Sequence, residues 1–236
     1  MSFSEIKKYT LKKIKNHWIK LIVISLIYII FTTAINFIPL VGFIFMFIFS
    51  TPISYGYILS LIKVIDGENV SIIDFLLLGF KYTGKIWRVI GNVFARLFLP
   101  ILILFGFAVL VAYNSLPILE AFYNHTLTLN IEISPFINIG LLGYIITLIY
   151  IAYKVLSYSM CKFLLMDYPN EKGASIVRKS INIMKGNKIK LIVFCLSFIG
   201  WIILSILTFG IGLTLLLPYL NISIYYFYKN ISPEKE

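Results

Sequence analysis

Charged residues are scarce in this sequence: only 13% of its 236 residues are Asp, Glu, Lys or Arg, about half the share that is typical of a soluble domain. Hydrophobic residues make up 60%, and the mean hydropathy is +0.93. The two cysteines, Cys161 and Cys195, lack CxxC spacing, and the two histidines, His17 and His125, fall in segments that we assign to opposite sides of a membrane. A disulfide framework and a zinc site are thereby excluded. We predict no metal site and no cofactor.

The motifs of common enzymes are missing as well. The sequence contains no HExxH, no GxSxG, no complete GxxxxGK[ST] loop and no GxGxxG. Ser197 and Ser205 lie in an apolar run, and a serine nucleophile would need a base within about 3 Å. We expect both hydroxyls to bond to the backbone of their own helix instead. The sequence therefore predicts no catalytic residues.

Two long uncharged runs dominate what is present. Residues 21–62 form a run of 42, and residues 191–228 form a run of 38. A membrane-spanning helix needs about 20 apolar residues, so each run is long enough for two spans. Turn-forming residues interrupt both runs near the middle, at 36–42 and at 208–212. Each run therefore predicts a hairpin of two membrane helices.

A basic or amphipathic segment precedes each predicted hairpin. In the first such segment, Ser2 and Glu5 have the spacing of a capping box. Apolar residues occupy one face of this predicted helix, and lysines occupy most of the remaining surface. We predict an all-α, polytopic membrane protein with six transmembrane helices, arranged as three parallel hairpins with cytoplasmic amphipathic helices. The predicted order within a single integral membrane domain, 1–236, is interfacial helix 2–17, first hairpin 18–64, interfacial segment 71–85, second hairpin 86–162 with its outer loop at 114–135, interfacial helix 171–188 and third hairpin 189–230.

The first and last hairpins resemble each other in sequence. The pentapeptide IKLIV occurs at 19–23 and again at 189–193, and Val41-Gly42 corresponds to Ile211-Gly212 at the same offset of 170 residues. This similarity indicates an internal duplication. Because every hairpin begins on the same side, the repeats are parallel, whereas many secondary transporters have inverted repeats.

The basic residues are confined to one side of the predicted topology. All 21 lie in the blocks 7–20, 63–96, 154–190 and 229–235; together with 8 acidic residues they give that side a net charge of +13. Glu120 and Glu132 are the charged residues of the other side. The positive-inside tendency assigns the basic side, with both termini, to the cytoplasm of a cell-membrane protein. The net charge of +11 is therefore explained without nucleic acid.

Two stripes of basic side chains mark the entry to the third span and the exit of the fourth. Their spacings of three, four and eight residues place each stripe on one helical face. We expect these side chains to contact phosphate headgroups or another anionic ligand. The candidate residues are Lys81, Lys85, Arg88, Arg96, Lys154 and Lys162.

Arg96 allows two interpretations. If the third span starts near Ile86, Arg96 lies about 15 Å along it and needs an anionic partner. If the span starts near Leu97, the guanidinium extends back to the interface. We favour the second interpretation.

The carboxy-terminal half also carries a family resemblance. Its features are Ser157–Met160, Asp167 and Pro169, SINIMKGNK at 180–188, LSFIGW at 196–201, TFGIG at 208–212 and Pro218-Tyr219. In this order and spacing they resemble the bacterial and archaeal membrane family called domain of unknown function 975. The front half is similar in pattern, with Trp18, residues 37–42 and GFK at 79–81.

The resemblance implies a multi-pass membrane protein with no established activity and no assigned catalytic residues. The chain departs from the family pattern at Ile176, where a small residue is common. More remotely, the sequence looks like the membrane domains attached to some glycerophosphodiester phosphodiesterases, which implies a lipid-related setting.

Three functions fit the sequence. The leading hypothesis is a non-enzymatic membrane module that associates with membrane lipids, especially anionic headgroups, or with a membrane-protein partner through its basic cytoplasmic face. The alternative is a small-solute transporter or channel, and the third is a lipid-handling membrane enzyme. A transporter requires a polar cavity at mid-membrane, whereas an enzyme requires an acid or a histidine beside a nucleophile.

Overall fold

The computed structural model describes residues 1–38, 41–71, 73–123 and 135–232. Helices account for 85% of it, and the described residues contain no strand. This composition confirms the all-α prediction. The helices are α1 (Phe3–Ile14), α2 (Trp18–Asn36), α3 (Val41–Ile65), α4 (Asp74–Tyr123), α5 (Pro135–Tyr158), α6 (Cys161–Asp167), α7 (Gly173–Met184), α8 (Lys188–Leu196), α9 (Ile199–Leu207) and α10 (Leu213–Ile231).

Among the described residues, five helical stretches are long and apolar enough to cross a bilayer. Helix α10 is not one of them, since polar residues such as Asn221 and Lys229 interrupt its apolar sequence. The five stretches are Trp18–Asn36, Ile44–Ile65, Asp74–Leu116, Phe136–Asp167 and Lys188–Leu207.

The chain divides into two compact units. Unit 1 comprises Met1–Ile90 together with Met160–Glu236, and unit 2 comprises Gly91–Ser159. Within unit 2, α5 approaches α4 closely at Gly143, where a Cβ atom would lie within 3.0 Å of the Phe107 ring. The missing side chain therefore lets these two apolar helices pack tightly.

Helix α10 lies at the centre of unit 1, packed against α1, α2, α3 and α9. Aromatic rings fill the interfaces: Phe227 stacks on Phe194 with ring centroids 5.2 Å apart, and Tyr219 contacts Phe198 edge to face at 5.3 Å. Such pairs add to the free energy of apolar burial. Helix α10, the least apolar of the long helices, is thus the one against which α1, α2, α3 and α9 pack.

Helices α3 and α4 cross at two glycines. A Cβ atom at Gly56 would collide with the Phe75 carbonyl oxygen, and one at Gly79 would lie 2.7 Å from the Pro52 carbonyl oxygen. The two backbones are therefore in direct contact, and only glycine fits at the crossing. This contact fixes the start of α4 against α3 within unit 1.

Helix α4 differs from the predicted organisation, since it runs for 50 residues without interruption from Asp74 to Tyr123. No break separates the predicted interfacial segment 71–85 from the span after it, and the outer loop does not begin at 114. Gly84 stays helical, and the Asn114 side chain donates to the Leu110 carbonyl oxygen within the helix. The rest of the predicted loop, 124–134, lies outside the described residues.

The sequence repeat has a counterpart in the structure. Helices α1 and α7 each contain 12 residues. A three-residue turn follows each of them and leads into an apolar helix, which begins at Trp18 in the first copy and, 170 residues later, at Lys188 in the second. The α7 turn contains Gly186 at φ +81°, a conformation that favours glycine. Equivalent positions are buried in both copies, including Thr10 and Ser180.

Candidate functional site

Two of the predicted basic residues line a small pocket in unit 1. Lys85 and Arg88 extend from α4, one turn apart, toward the loop that precedes α7. The pocket has a volume of about 110 Å³ and is polar, and its other lining residues are Pro169, Asn170, Glu171 and Gly173. The Lys85 Nζ donates to the Asn170 Oδ1 at 3.4 Å, which links α4 to this loop. We refer to these six residues as the basic pocket.

The start of α7 rests directly on the α4 backbone. A Cβ atom at Gly173 would lie 2.8 Å from the Arg88 carbonyl oxygen and 3.0 Å from the Val89 nitrogen. Real Cβ atoms do not approach backbone atoms so closely, so glycine is required for this contact. Gly173 therefore places the first turn of α7 beside the base of the Arg88 side chain.

The amino terminus of α7 has no side-chain cap. Its N-cap residue, Lys172, has extended backbone geometry and makes no capping hydrogen bond. The N–H groups of Gly173 and Ala174 have no acceptor among the residues that the structure describes. Unbonded N–H groups at a helix start carry partial positive charge and favour an anion.

Glu171 is the one acidic residue of the basic pocket, and its carboxylate is already bonded. It forms an ion pair with Lys179 and accepts a hydrogen bond from the Ser175 hydroxyl at 2.7 Å. These hydrogen bonds hold the pKa of Glu171 below its ordinary value of 4.5. The carboxylate therefore stays charged at neutral pH, and Lys179 balances that charge. Lys85 and Arg88 therefore give the pocket a net positive charge.

Residues 79–85 read GFKYTGK, which has the glycine and lysine spacing of a phosphate-binding loop, with Ile86 in place of Ser or Thr. All of them lie inside α4. A phosphate-binding loop holds its ligand with N–H groups that point out of a turn, whereas helical N–H groups are bonded along the helix. This segment therefore does not form a nucleotide loop.

The other predicted basic residues of unit 1 lie outside this pocket. Lys81 is exposed, one turn before Lys85. Lys162 is half-buried, and its ammonium group lies over the Phe163 ring at 5.2 Å. It has no ion pair or hydrogen bond with a residue in the described part of the chain.

Arg96 and Lys154 belong to unit 2, and each contacts its own helix. The Arg96 guanidinium donates to the Asn92 carbonyl oxygen at 2.8 Å, so this side chain turns back toward the start of α4. The Lys154 ammonium lies 5.3 Å from the centre of the Tyr150 ring. Both interpretations of Arg96 stay predictions, since a hydrogen bond to the carbonyl oxygen one turn earlier is compatible with either start of the third span.

Sequence reasoning identified no role for Asp167, whose partners lie more than 60 residues further along. Its carboxylate accepts a hydrogen bond from the Tyr228 hydroxyl at 2.6 Å and pairs with the Lys229 ammonium, 2.8 Å from both oxygens. The cluster ties the end of α6 to the end of α10. Only the placement of Asp167 in the motif Asp-Tyr-Pro, just before α7, gave a signal in the sequence.

The serines considered as nucleophiles are bonded within their helices. Ser197 Oγ donates to the Phe194 carbonyl oxygen at 2.5 Å, and Ser205 Oγ donates to the Trp201 carbonyl oxygen at 2.8 Å. Both hydroxyls therefore make the backbone hydrogen bonds that the sequence predicted.

Comparisons with known proteins bear on the family alone. No curated protein and no solved structure matches the chain. One family model, described as a protein of unknown function (DUF975), matches residues 1–235. Because the match covers nearly the whole chain, the protein belongs to the DUF975 family.

Proposed function

We propose that this protein is a non-enzymatic module of the cell membrane that binds anionic lipid headgroups through its basic cytoplasmic face. The observation that carries the proposal is the basic pocket, where Lys85 and Arg88 lie beside the unbonded N–H groups at the start of α7. Basic side chains near a bilayer surface attract anionic lipid by about 1 kcal/mol each. Lys81, on the same face of α4, extends this positive surface.

The proposal includes six membrane spans, with both termini in the cytoplasm. The amino-terminal ammonium group of Met1 donates to the Asn230 Oδ1 at 2.7 Å, so Met1 lies beside the last turn of α10. Ends on one side of a bilayer require an even number of crossings. The five apolar stretches together with α10 supply six. The confinement of the 21 basic residues to one side supports a cytoplasmic location for that side.

The amphipathic helices have a defined role in this proposal. Helix α1 buries Ile6, Thr10 and Ile14 and leaves Lys8 and Lys12 exposed. Helix α7 has the same division of buried and exposed faces. Each would lie along the cytoplasmic interface and direct basic residues toward headgroups.

The test uses the full-length protein, purified in a neutral detergent and titrated with short-chain phosphatidylglycerol under native mass spectrometry. We expect the double variant Lys85→Gln/Arg88→Gln to bind this lipid roughly 30-fold more weakly, the effect of losing about 2 kcal/mol. The matched control, Arg178→Gln, removes one charge from an exposed position of α7 outside the pocket and should change the affinity by less than about twofold. Equal affinities of the double variant and the original protein would overturn the proposal.

A further inference from the structure

A second polar cleft opens in unit 1, between the amino-terminal segment, the end of α3 and the end of α10. Its volume is about 560 Å³, five times that of the basic pocket, and it is open to solvent. The lining residues that matter here are Tyr9, Lys13, Asp66, Tyr226, Lys229 and Asn230. We refer to this site as the terminal cleft.

Packing between α1 and α10 holds the walls of the terminal cleft in place. Tyr9 and Tyr226 meet edge to face with ring centroids 4.9 Å apart, and Asn230 binds the amino-terminal ammonium group. Besides α1 and α10, the cleft is lined by Asp66, the residue that directly follows α3. The Asp66 N–H donates to the Ile62 carbonyl oxygen. The cleft is thus lined by α1, by the residue after α3 and by the last turns of α10.

In the terminal cleft, Lys229 is paired with Asp167, whereas the Asp66 carboxylate has no such partner among the described residues. Asp66 interacts electrostatically with Lys13 and Lys229, but it makes no ion pair within 4.0 Å with any residue that the structure describes. Burial raises the pKa of Asp66 and Glu68 raises it further, whereas Lys13 and Lys229 act in the opposite direction. The Asp66 carboxylate therefore lies more than 4.0 Å from both ammonium groups, and all three groups line the same open cleft of about 560 Å³.

Both lysines retain donors for a ligand. The Lys229 ammonium is 2.8 Å from each Asp167 oxygen, and an ammonium group has three N–H donors. Those two contacts use at most two of the donors. Lys13 lies 5.9 Å from the centre of the Tyr9 ring and is exposed.

We propose that the terminal cleft binds a phosphorylated primary amine, the phosphoethanolamine group, with its ammonium at Asp66 and its phosphate at Lys13 and Lys229. A ligand that carries only negative charge would meet the Asp66 carboxylate, and one that carries only positive charge would meet two lysines. A zwitterion pairs with both, and its ammonium donates charge-assisted hydrogen bonds that a quaternary amine lacks. The group occurs both in phosphatidylethanolamine and in the soluble glycerophosphoethanolamine.

This inference goes beyond the proposed function, since it names a different site and a different headgroup. It does not depend on anion binding by Lys85 and Arg88. The double variant at those two positions should leave phosphoethanolamine binding unchanged, so either proposal can fail alone.

Binding to the full-length protein in neutral detergent provides the test, with native mass spectrometry for short-chain phosphatidylethanolamine and calorimetry for glycerophosphoethanolamine. We expect Asp66→Asn to weaken phosphatidylethanolamine binding about tenfold or more, as loss of a charged hydrogen-bond partner does. The control Glu68→Gln removes the same charge two residues away, and we expect a change of less than about twofold. Lys13→Gln should weaken binding of phosphatidylethanolamine and leave binding of short-chain phosphatidylglycerol at the basic pocket unchanged within about twofold.

The results separate the two sources of the headgroup. If phosphatidylethanolamine and glycerophosphoethanolamine bind with similar affinity, the site recognises the headgroup alone. If phosphatidylethanolamine binds and glycerophosphoethanolamine does not, the site recognises a membrane lipid. Equal binding of a short-chain phosphatidylcholine would overturn the requirement for a primary amine. An unchanged affinity in Asp66→Asn, or no binding by the original protein, would overturn the site.

Discussion

The Lys7 ammonium on α1 donates a hydrogen bond to the Ser197 carbonyl oxygen, at 2.7 Å across 190 residues of sequence. Ser197 is the C-cap of α8, where the helix breaks before α9, and the same ammonium lies 4.2 Å from the centre of the Phe198 ring. A cation at a helix carboxyl terminus compensates the partial negative charge of its carbonyl groups. Partial burial lowers the pKa of Lys7. Helix α1 thus stabilises the break in the fifth apolar stretch.

Replacing Lys7 should therefore reduce stability. We expect Lys7→Gln to lower the free energy of unfolding by about 1 kcal/mol, because the Ser197 carbonyl loses a charged donor. Lys12→Gln makes the same change at an exposed position of α1 and should have almost no effect. Thermal unfolding in detergent, followed by the ellipticity of the helices, measures both. Equal shifts in the two variants would contradict a specific role for Lys7.

The contact between α4 and α7 predicts a strong effect of a methyl group at Gly173. We expect Gly173→Ala to destabilise the protein by about 1–3 kcal/mol and to weaken phosphatidylglycerol binding, since the added Cβ would push α7 away from Arg88. In α4 itself, Gly84 faces open space, so Gly84→Ala should be neutral or stabilising by up to about 1 kcal/mol. Unfolding midpoints and lipid titration check the two variants side by side. A neutral Gly173→Ala would show that α7 moves freely on α4.

The crossing of α3 and α4 leads to a second glycine prediction. Gly56→Ala places a methyl group against the Phe75 carbonyl oxygen, a backbone atom that cannot turn aside. We expect a loss of about 3 kcal/mol or reduced accumulation in membranes. Gly91→Ala, with no atom within 4 Å of the added Cβ, is the control. Comparable yields and melting temperatures for the two variants would argue against direct backbone contact.

The Glu171–Lys179 pair should make stability depend on pH. The folded-state pKa of Glu171 lies below its ordinary value of 4.5, so its contribution is present above that value and disappears as pH falls through the folded-state pKa. Glu171→Gln should cost about 0.5 kcal/mol at pH 7, because the pair is partly exposed. The difference from the original protein should shrink below pH 4.5. Unfolding curves measured from pH 7 downward test this, and a difference that stays constant would contradict it.

Topology is testable by labelling. In a background of Cys161→Ser and Cys195→Ser, we expect a single cysteine at 178 or 232 to react with a membrane-impermeant maleimide only from the cytoplasmic side. A cysteine at 125 should react only from the opposite side. Position 232 is decisive, since five crossings would place it opposite the amino terminus, whereas six place the two together. Labelling of residue 125 from the cytoplasm would invert the assignment.

The sequence was sufficient to predict the helical class and the approximate position of every long apolar stretch. Membrane helices satisfy their backbone hydrogen bonds internally, so their presence depends mainly on local composition. The duplication was also readable, because IKLIV and the turns at 15–17 and 185–187 recur at an offset of 170 residues. The predicted boundary at 85/86 is absent from α4, because Gly84 permits a turn but does not require one.

The arrangement of the candidate sites depended on contacts between residues that are distant in the sequence. The sequence determined that Lys85 and Arg88 share a helical face, because their spacing follows from the period of the helix. Only the tertiary structure decided that this face meets Gly173, that Lys7 reaches Ser197 and that Asp66 and Lys13 line the same cleft. Those pairings arise from helix packing in unit 1, where close approach at glycines and aromatic stacking set the geometry, and no local pattern records which helix lies beside which.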